Sequence, residues 1–166
     1  ELARNNKVKV VDGEAFKYFE SWVHSVVREL APVMRGAKPL DIARRCCHEV
    51  TAAEVRESLD FMVKNGLLRK EGEAYVQVDR HLKGTSAVMP VALRSMHREM
   101  AEFAKDAIDK FPPSERNFSG LIMGISDGDY KKILQELDIC RKKIARIALN
   151  SRGTERVYRL NLQLFP

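Results

Sequence analysis

The chain has 166 residues and a net charge of +6 at pH 7; 45% of its residues are hydrophobic and 31% are charged. This length fits one compact domain or two small domains packed together. The charged content argues against a membrane protein, and the sequence lacks an apolar run of the roughly 20 residues that a membrane span needs. Its three cysteines, an odd number without framework spacing, indicate a reducing compartment. We therefore expect a cytoplasmic protein without a membrane partner.

Residues 1–37 predict a short strand or extended linker followed by one long helix. Residues 7–11 alternate in polarity, and Asp12 is placed to cap a helix whose apolar stripe includes Trp22. His24 lies beside this stripe, where a lone histidine usually serves packing. The chain begins with a residue other than methionine, so we expect it to be an excised piece of a longer protein.

Residues 38–82 predict a winged helix, in the order helix, turn, helix and hairpin. A short helix is expected over residues 40–47. Thr51 stands three residues before Glu54, a spacing that caps the start of the second helix. Three segments complete the pattern: Asn65-Gly66 ends the second helix, and residues 67–70 and 74–78 form two strands around a tight turn. Many DNA-binding regulators share this order, although a fold does not fix a function.

The charge of this segment argues against direct reading of DNA. Residues 38–82 carry eight basic and eight acidic residues. The outer face of the second helix has three acidic and two basic residues, whereas DNA affinity comes largely from neutralising phosphates. We therefore interpret the winged helix as used mainly for structure or partner contact, with direct DNA binding as the alternative. The residues that would contact DNA or a partner are Arg56, Lys64, Arg69 and Lys70.

Residues 83–166 predict a helix and then a small α/β element. The helix begins near Pro90 and runs to about Lys110. Three segments follow: a buried strand over 117–126, a helix over 127–150 opened by Ser126, and an alternating last strand over 156–165. A strand-helix-strand unit implies a right-handed crossover between parallel strands. Because so small a sheet leaves an open edge, we expect a homodimer paired through it.

The whole charge excess lies in residues 131–166, which carry nine basic and three acidic residues. The helix over 127–150 has an apolar stripe made of Tyr130, Ile133, Leu134, Leu137, Cys140, Ile144 and Ile147. Outside this stripe lie basic residues that we expect to face solvent or a partner: Lys131, Lys132, Arg141, Lys142, Lys143 and Arg146. The alternatives are a merely solvated face and a contact with phosphates or an acidic protein surface.

No group of residues predicts catalysis, a cofactor or a metal site. Cys46-Cys47-His48 lacks a second ligand pair, and adjacent residues on a helix point about 100° apart. There is no Gly-rich phosphate loop and no nucleophile elbow. We therefore expect a protein that is not an enzyme and holds no cofactor or metal. The alternative from another class is a small-molecule sensor or enzyme with a pocket near Trp22, His24 and His97.

Several motifs resemble one family of bacterial proteins. They are Ser21-Trp22-Val23-His24, Val27-Arg28-Glu29-Leu30, His97-Arg98, Phe111-Pro112-Pro113 with Glu115-Arg116, and the C-terminal run 156–166. Spread over nearly the whole chain, they are similar to the Fibrobacter-type paralogous family of uncharacterised proteins, whose C-terminal part is a domain of unknown function. In that family a helix-turn-helix domain typically lies upstream, and the proteins are presumed transcriptional regulators.

The expected fold is therefore α+β and mainly helical, with a winged helix followed by a small strand-helix-strand element. The expected organisation is a linker and helix over 1–37, the winged helix over 38–82 and the remainder over 83–166. The resemblance implies the C-terminal regulatory or dimerisation domain of a transcriptional regulator, with DNA bound through the upstream domain. An unidentified protein or small-molecule effector is a further expected partner.

Overall fold

The computed structural model describes residues 9–10, 15–78, 82–83, 89–152 and 156–166. Within them the chain is mainly helical with little strand, as predicted. The helices are α1 (Ala15–Glu20), α2 (Trp22–Val33), α3 (Pro39–Arg45), α4 (Ala52–Lys64), α5 (Met89–Lys110) and α6 (Asp127–Asn150). The strands are β1 (Lys9–Val10), β2 (Leu68–Glu71), β3 (Ala74–Gln77) and β4 (Leu82–Lys83). Among these residues, none of the helices has both the length and the apolar content to cross a membrane.

The strands form two small sheets. β2 and β3 pair antiparallel, and β1 and β4 pair in parallel. The chain divides into two compact units, the first comprising Glu1–Glu99 with Thr154–Tyr158 and the second Met100–Gly153 with Arg159–Pro166.

The predicted long N-terminal helix is instead two helices that break at Ser21. Ser21 has extended backbone angles, and its hydroxyl accepts a hydrogen bond from Val23 N at 3.2 Å. A serine oxygen in this position replaces a missing intrahelical acceptor, which is why serine is favoured where a helix begins. The apolar stripe continues through the break, so periodicity alone did not reveal it. The predicted cap Asp12 and parts of the predicted first strand lie outside the described residues.

Local capping fixes α4 where the sequence predicted it. Thr51 Oγ1 accepts from Glu54 N at 3.2 Å, and the Glu54 carboxylate accepts from Thr51 N at 2.8 Å. Gly66 follows the helix with φ of +64°, a left-handed conformation that glycine adopts without steric cost. The helix then buries one face in the core of the first unit, whose fully buried side chains include Val27, Ile42, Val55, Leu59, Met62, Leu67 and Leu68.

A tight hairpin follows α4. Its register pairs Leu68 with Gln77 and Glu71 with Ala74, leaving a two-residue turn that contains Gly72 at φ of +58°. The Gln77 side chain donates to the carbonyl oxygen of Arg28 at 2.9 Å. This bond joins β3 to α2, and the two strands therefore belong to the same core as the helices.

Of the predicted strand-helix-strand element, the described residues contain the helix, which is α6, but neither strand. Residues 117–126 have no regular secondary structure, and Ile122 is fully exposed at 102%. Glycines at positions 120 and 124 weaken a strand, since they offer no side chain to pack. Among the described residues no strand pairs with this segment, so it has no hydrogen-bonded ladder to join.

The C-terminal run 156–166 is also not a strand. Asn161 Nδ2 donates to the Met100 carbonyl oxygen at 2.9 Å, and the Arg159 guanidinium lies 4.8 Å from the centre of the Phe103 ring. The tail is thus attached to α5 through side chains. Alternating polarity therefore wrongly indicated a strand there. The predicted dimer contact through an open sheet edge loses its basis.

Candidate functional site

The outer face of α4 and the adjoining hairpin form the first candidate surface. Arg56 and Lys64 are exposed on α4, as are Glu54, Glu57 and Asp60. Glu54 is engaged in capping, and hydrogen bonds from Thr51, above all from its backbone N–H, lower the pKa of its carboxyl. The carboxylate is therefore held ionised. This helix face presents both charge signs, with a small acidic excess.

The hairpin carries two further predicted contact residues with different surroundings. The Arg69 guanidinium forms an ion pair with Glu71 two residues along the same strand, and its Nε donates to Glu71 Oε1 at 3.0 Å. Some of the hydrogen-bond donors of the Arg69 guanidinium are therefore already engaged within the hairpin. Lys70 is exposed. A phosphate approaching Arg69 would have to compete with a carboxylate already in place.

The six predicted basic residues of α6 are all exposed. At 100° per residue, five of them fall on one side of the helix, and Arg141 lies apart from them. Two aspartates neutralise part of the set: Lys132 pairs with Asp129 at 2.8 Å, and Arg141 with Asp138 at 2.7 Å. Lys142 also pairs with Asp138. Lys131, Lys143 and Arg146 make no ion pair within the described part of the chain.

A second candidate group lies inside the first unit, around His24. His24 Nδ1 and Ser58 Oγ are 2.8 Å apart and hydrogen-bonded. The imidazole stacks on the Phe61 ring with centroids 4.7 Å apart, and burial lowers the pKa of His24. His24 therefore makes the packing contacts predicted for it, and burial disfavours its protonated form.

Tyr18 and Arg28 form a neighbouring buried polar pair. Both side chains are almost completely buried, and the guanidinium hydrogen-bonds the Tyr18 hydroxyl. Burial raises the pKa of Tyr18 to about 12, against the opposing effect of the Arg28 charge. Arg28 also lies 3.7 Å from the Glu29 carboxylate. The pair places a permanent positive charge within the core of the unit.

The alternative of a sensor or enzyme places a pocket near Trp22, His24 and His97. Trp22 is buried and meets His48 edge-on, with ring centroids 5.8 Å apart. His24 contacts Ser58 and Phe61, whereas His97 is exposed on α5. The contacts of Trp22 and His24 are thus packing contacts with other side chains.

The cysteines carry reduced thiols, and Cys46 Sγ donates to the Ile42 carbonyl oxygen at 3.4 Å. Within the described residues no three His, Cys, Asp or Glu side chains come together in a way that could hold a metal ion.

The sequence prediction missed one feature of α6, which has no buried residue along its length. Six of its apolar residues repeat every seven positions in two series, Tyr130, Leu137, Ile144 and Ile133, Cys140, Ile147. These six residues are called the α6 seam below. A seven-residue repeat of this kind is typical of coiled coils. The spacing was present in the sequence, but it was interpreted as the inner face of a helix packed on a sheet.

No curated protein and no solved structure matches the chain significantly. A family model does match, and it extends over residues 2–166, nearly the whole chain. The chain therefore belongs to the family described as "Domain of unknown function (DUF4423)".

Proposed function

We propose that the chain is the C-terminal regulatory and dimerisation domain of a bacterial transcriptional regulator. In this proposal residues 38–82 form a winged helix that serves structure or partner contact, and sequence reading belongs to a helix-turn-helix domain upstream in the gene product. The proposed role is non-enzymatic. The order of α3, α4 and the β2–β3 hairpin supports the winged helix. The family resemblance supports the regulator.

The observation that carries the proposed division of labour is the charge of the exposed α4 face and hairpin. A protein that makes 6–10 phosphate contacts needs that many well-placed basic groups, and base reading in the major groove needs further Arg, Lys, Asn or Gln side chains. Here three carboxylates accompany two basic residues on α4, and Arg69 is paired with Glu71. Such a surface repels phosphates as much as it attracts them.

The test is selection from a random duplex library with two proteins, the complete gene product and this chain alone. We expect the complete product to enrich one DNA sequence and this chain to enrich none. Enrichment by neither protein would overturn the regulator role. Enrichment of a DNA sequence by the isolated chain would overturn the assignment of the winged helix to structure or partner contact.

Direct DNA binding by the winged helix is the second candidate, favoured by the exposure of Arg56, Lys64 and Lys70. If this candidate were correct, reversing the charges at Lys64, Arg69 and Lys70 would abolish binding to a selected duplex. Our proposal instead predicts that the complete gene product carrying these three reversals binds the duplex almost as tightly as the wild-type product. Circular dichroism of the variant establishes that its helices are intact.

A further inference from the structure

α6 is a long amphipathic helix whose apolar side is largely exposed, with Ile133 and Leu137 half-buried. It has 24 residues, equivalent to roughly 36 Å at 1.5 Å per residue, and its seam includes Ile147 at 71% exposure. Soluble monomers rarely leave contiguous apolar surface of this extent open. In proteins, packing of the apolar face against another surface also supplies most of the stability of a helix. Both considerations indicate that another surface covers the seam.

The spacing of the seam identifies the kind of surface that fits it. An α-helix with 3.6 residues per turn drifts relative to a seven-residue repeat, so a strict repeat matches a second helix coiled around the first. The seam keeps this repeat through three heptads, and the partner it fits is a helix of the same spacing. A second copy of α6 has that spacing by definition.

The charge distribution of α6 selects the orientation of the pair. Residues 127–138 contain four acidic and two basic residues, net −2, and residues 139–150 contain four basic residues and no acidic one, net +4. Parallel helices would place the two +4 halves side by side. Antiparallel helices place each negative half against a positive half, and their macrodipoles then also oppose one another favourably.

The antiparallel arrangement also gives each seam residue an apolar partner in the second copy and brings oppositely charged residues together beside the seam. Its apolar layers join Tyr130 to Ile147, Ile133 to Ile144 and Leu137 to Cys140 of the second copy, each layer occurring twice about a two-fold axis. Glu136 then flanks the seam beside Lys143 of the second copy. Neither residue has an ion-pair partner within the described part of its own chain. Opposite charges at these flanking positions set orientation in coiled coils.

We propose that α6 pairs antiparallel with α6 of a second copy of this chain through the α6 seam. This inference rests on the proposed dimerisation role and names its surface and partner. The interface is isologous, and the same residues contribute from both copies. The basic residues Lys131, Lys142 and Arg146 lie on the side of α6 away from the seam and stay accessible in the dimer.

The first test is sedimentation equilibrium of the wild-type chain and of two matched variants. Ile144→Asp places a charge in the seam, and Ile139→Asp places the same charge at a similarly exposed apolar position outside it (exposures of 38% and 43%). We expect a wild-type dimer, a dimer dissociation constant raised at least ~30-fold by Ile144→Asp, as for loss of an interface hot spot, and little change for Ile139→Asp.

The second test exchanges charges, which keeps the inference falsifiable if the seam variant fails to fold. Glu136→Lys and Lys143→Glu should each weaken the dimer by roughly 3–10-fold through like charges, and the double variant should restore it. Weakening without restoration would overturn the antiparallel pairing. A dimer that persists in Ile144→Asp would overturn the seam but leave dimerisation intact. A monomeric wild-type chain at high micromolar concentration would overturn dimerisation itself, whereas DNA selection tests the regulator role separately.

Discussion

His24 Nδ1 lies 2.8 Å from Ser58 Oγ, and this hydrogen bond joins α2 to α4 inside the first unit. Ser58 is 1% exposed, so its hydroxyl depends on a partner from the protein. The imidazole also stacks on Phe61 and faces the Tyr18 ring, at 4.7 and 6.2 Å between centroids. A neutral ring suits these contacts, whereas a protonated ring would be a partly buried charge.

We expect the first unit to lose stability in mild acid because of His24. Burial lowers its folded pKa below the unfolded value of about 6.5. Between these two values the unfolded chain binds more protons, so stability falls as pH decreases below about 6.5 and levels off below the folded pKa. Urea unfolding from pH 7.5 to 5 measures this slope. His24→Gln should flatten it, and exposed His97→Gln should not. An equal slope in both variants would contradict the assignment.

Because of Tyr18, we also expect the stability of the first unit to depend on pH in the alkaline range. Its folded pKa of about 12 lies above the unfolded value of about 10. The folded chain therefore keeps a proton that the unfolded chain loses, and stability declines as pH rises from about 10 toward 12.

Tyr18→Phe should remove this decline but lower the free energy of unfolding at pH 8 by about 1–3 kcal/mol, since buried Arg28 loses a hydrogen-bond acceptor. Exposed Tyr158→Phe is the control. Both variants are unfolded with urea at pH 8 and pH 10.5. If their free energies of unfolding were equal at each pH, the buried hydroxyl of Tyr18 would contribute neither to stability nor to its decline at alkaline pH.

Thr51→Ala should weaken the start of α4. The threonine hydroxyl accepts from Glu54 N, and the Glu54 carboxylate accepts from the Thr51 backbone at 2.8 Å. Loss of a side-chain cap costs about 1 kcal/mol, and Thr51→Ser, which keeps the hydroxyl, should stay within a few tenths. The midpoint and slope of urea unfolding provide the comparison. Identical midpoints for the two variants would mean that this cap contributes nothing.

Elements defined by local signals were predicted well from the sequence. Thr51, Glu54 and Gly66 fix both ends of α4 through hydrogen bonds and backbone angles of neighbouring residues, and Ser126 does the same for the start of α6. The break at Ser21 was missed because the apolar stripe crosses it, and serine is compatible with both a helix interior and a cap.

Elements that depend on distant partners were predicted wrongly. A strand needs a second strand, and the alternation of residues 156–165 carries no information on whether one exists. The contacts that the tail makes instead, from Arg159 to Phe103 and from Asn161 to Met100, cross large sequence separations. The candidate residues on α4, the hairpin and α6 were correctly expected to be exposed, but the ion pairs of Arg69 and Arg141 depend on geometry that spacing alone leaves open.

Cysteine crosslinking at the α6 seam separates the two helix orientations. In the antiparallel pair, position 137 faces Cys140 of the second copy, so Leu137→Cys should form an interchain disulfide under mild oxidation. In a parallel pair, each seam residue faces its own counterpart. The wild-type chain would then crosslink through its two copies of Cys140. The Leu137→Cys/Cys140→Ser variant would crosslink through the two new cysteines at position 137.

We expect Leu137→Cys to run as a covalent dimer on a non-reducing gel, while the wild-type chain and the Leu137→Cys/Cys140→Ser variant stay largely monomeric there. Cys46 and Cys47 are present in all three proteins, so any crosslink through them appears equally in each lane. The opposite pattern, with crosslinks in the two controls, would establish parallel helices. It would also mean that apolar packing outweighs the repulsion between the two basic halves of α6.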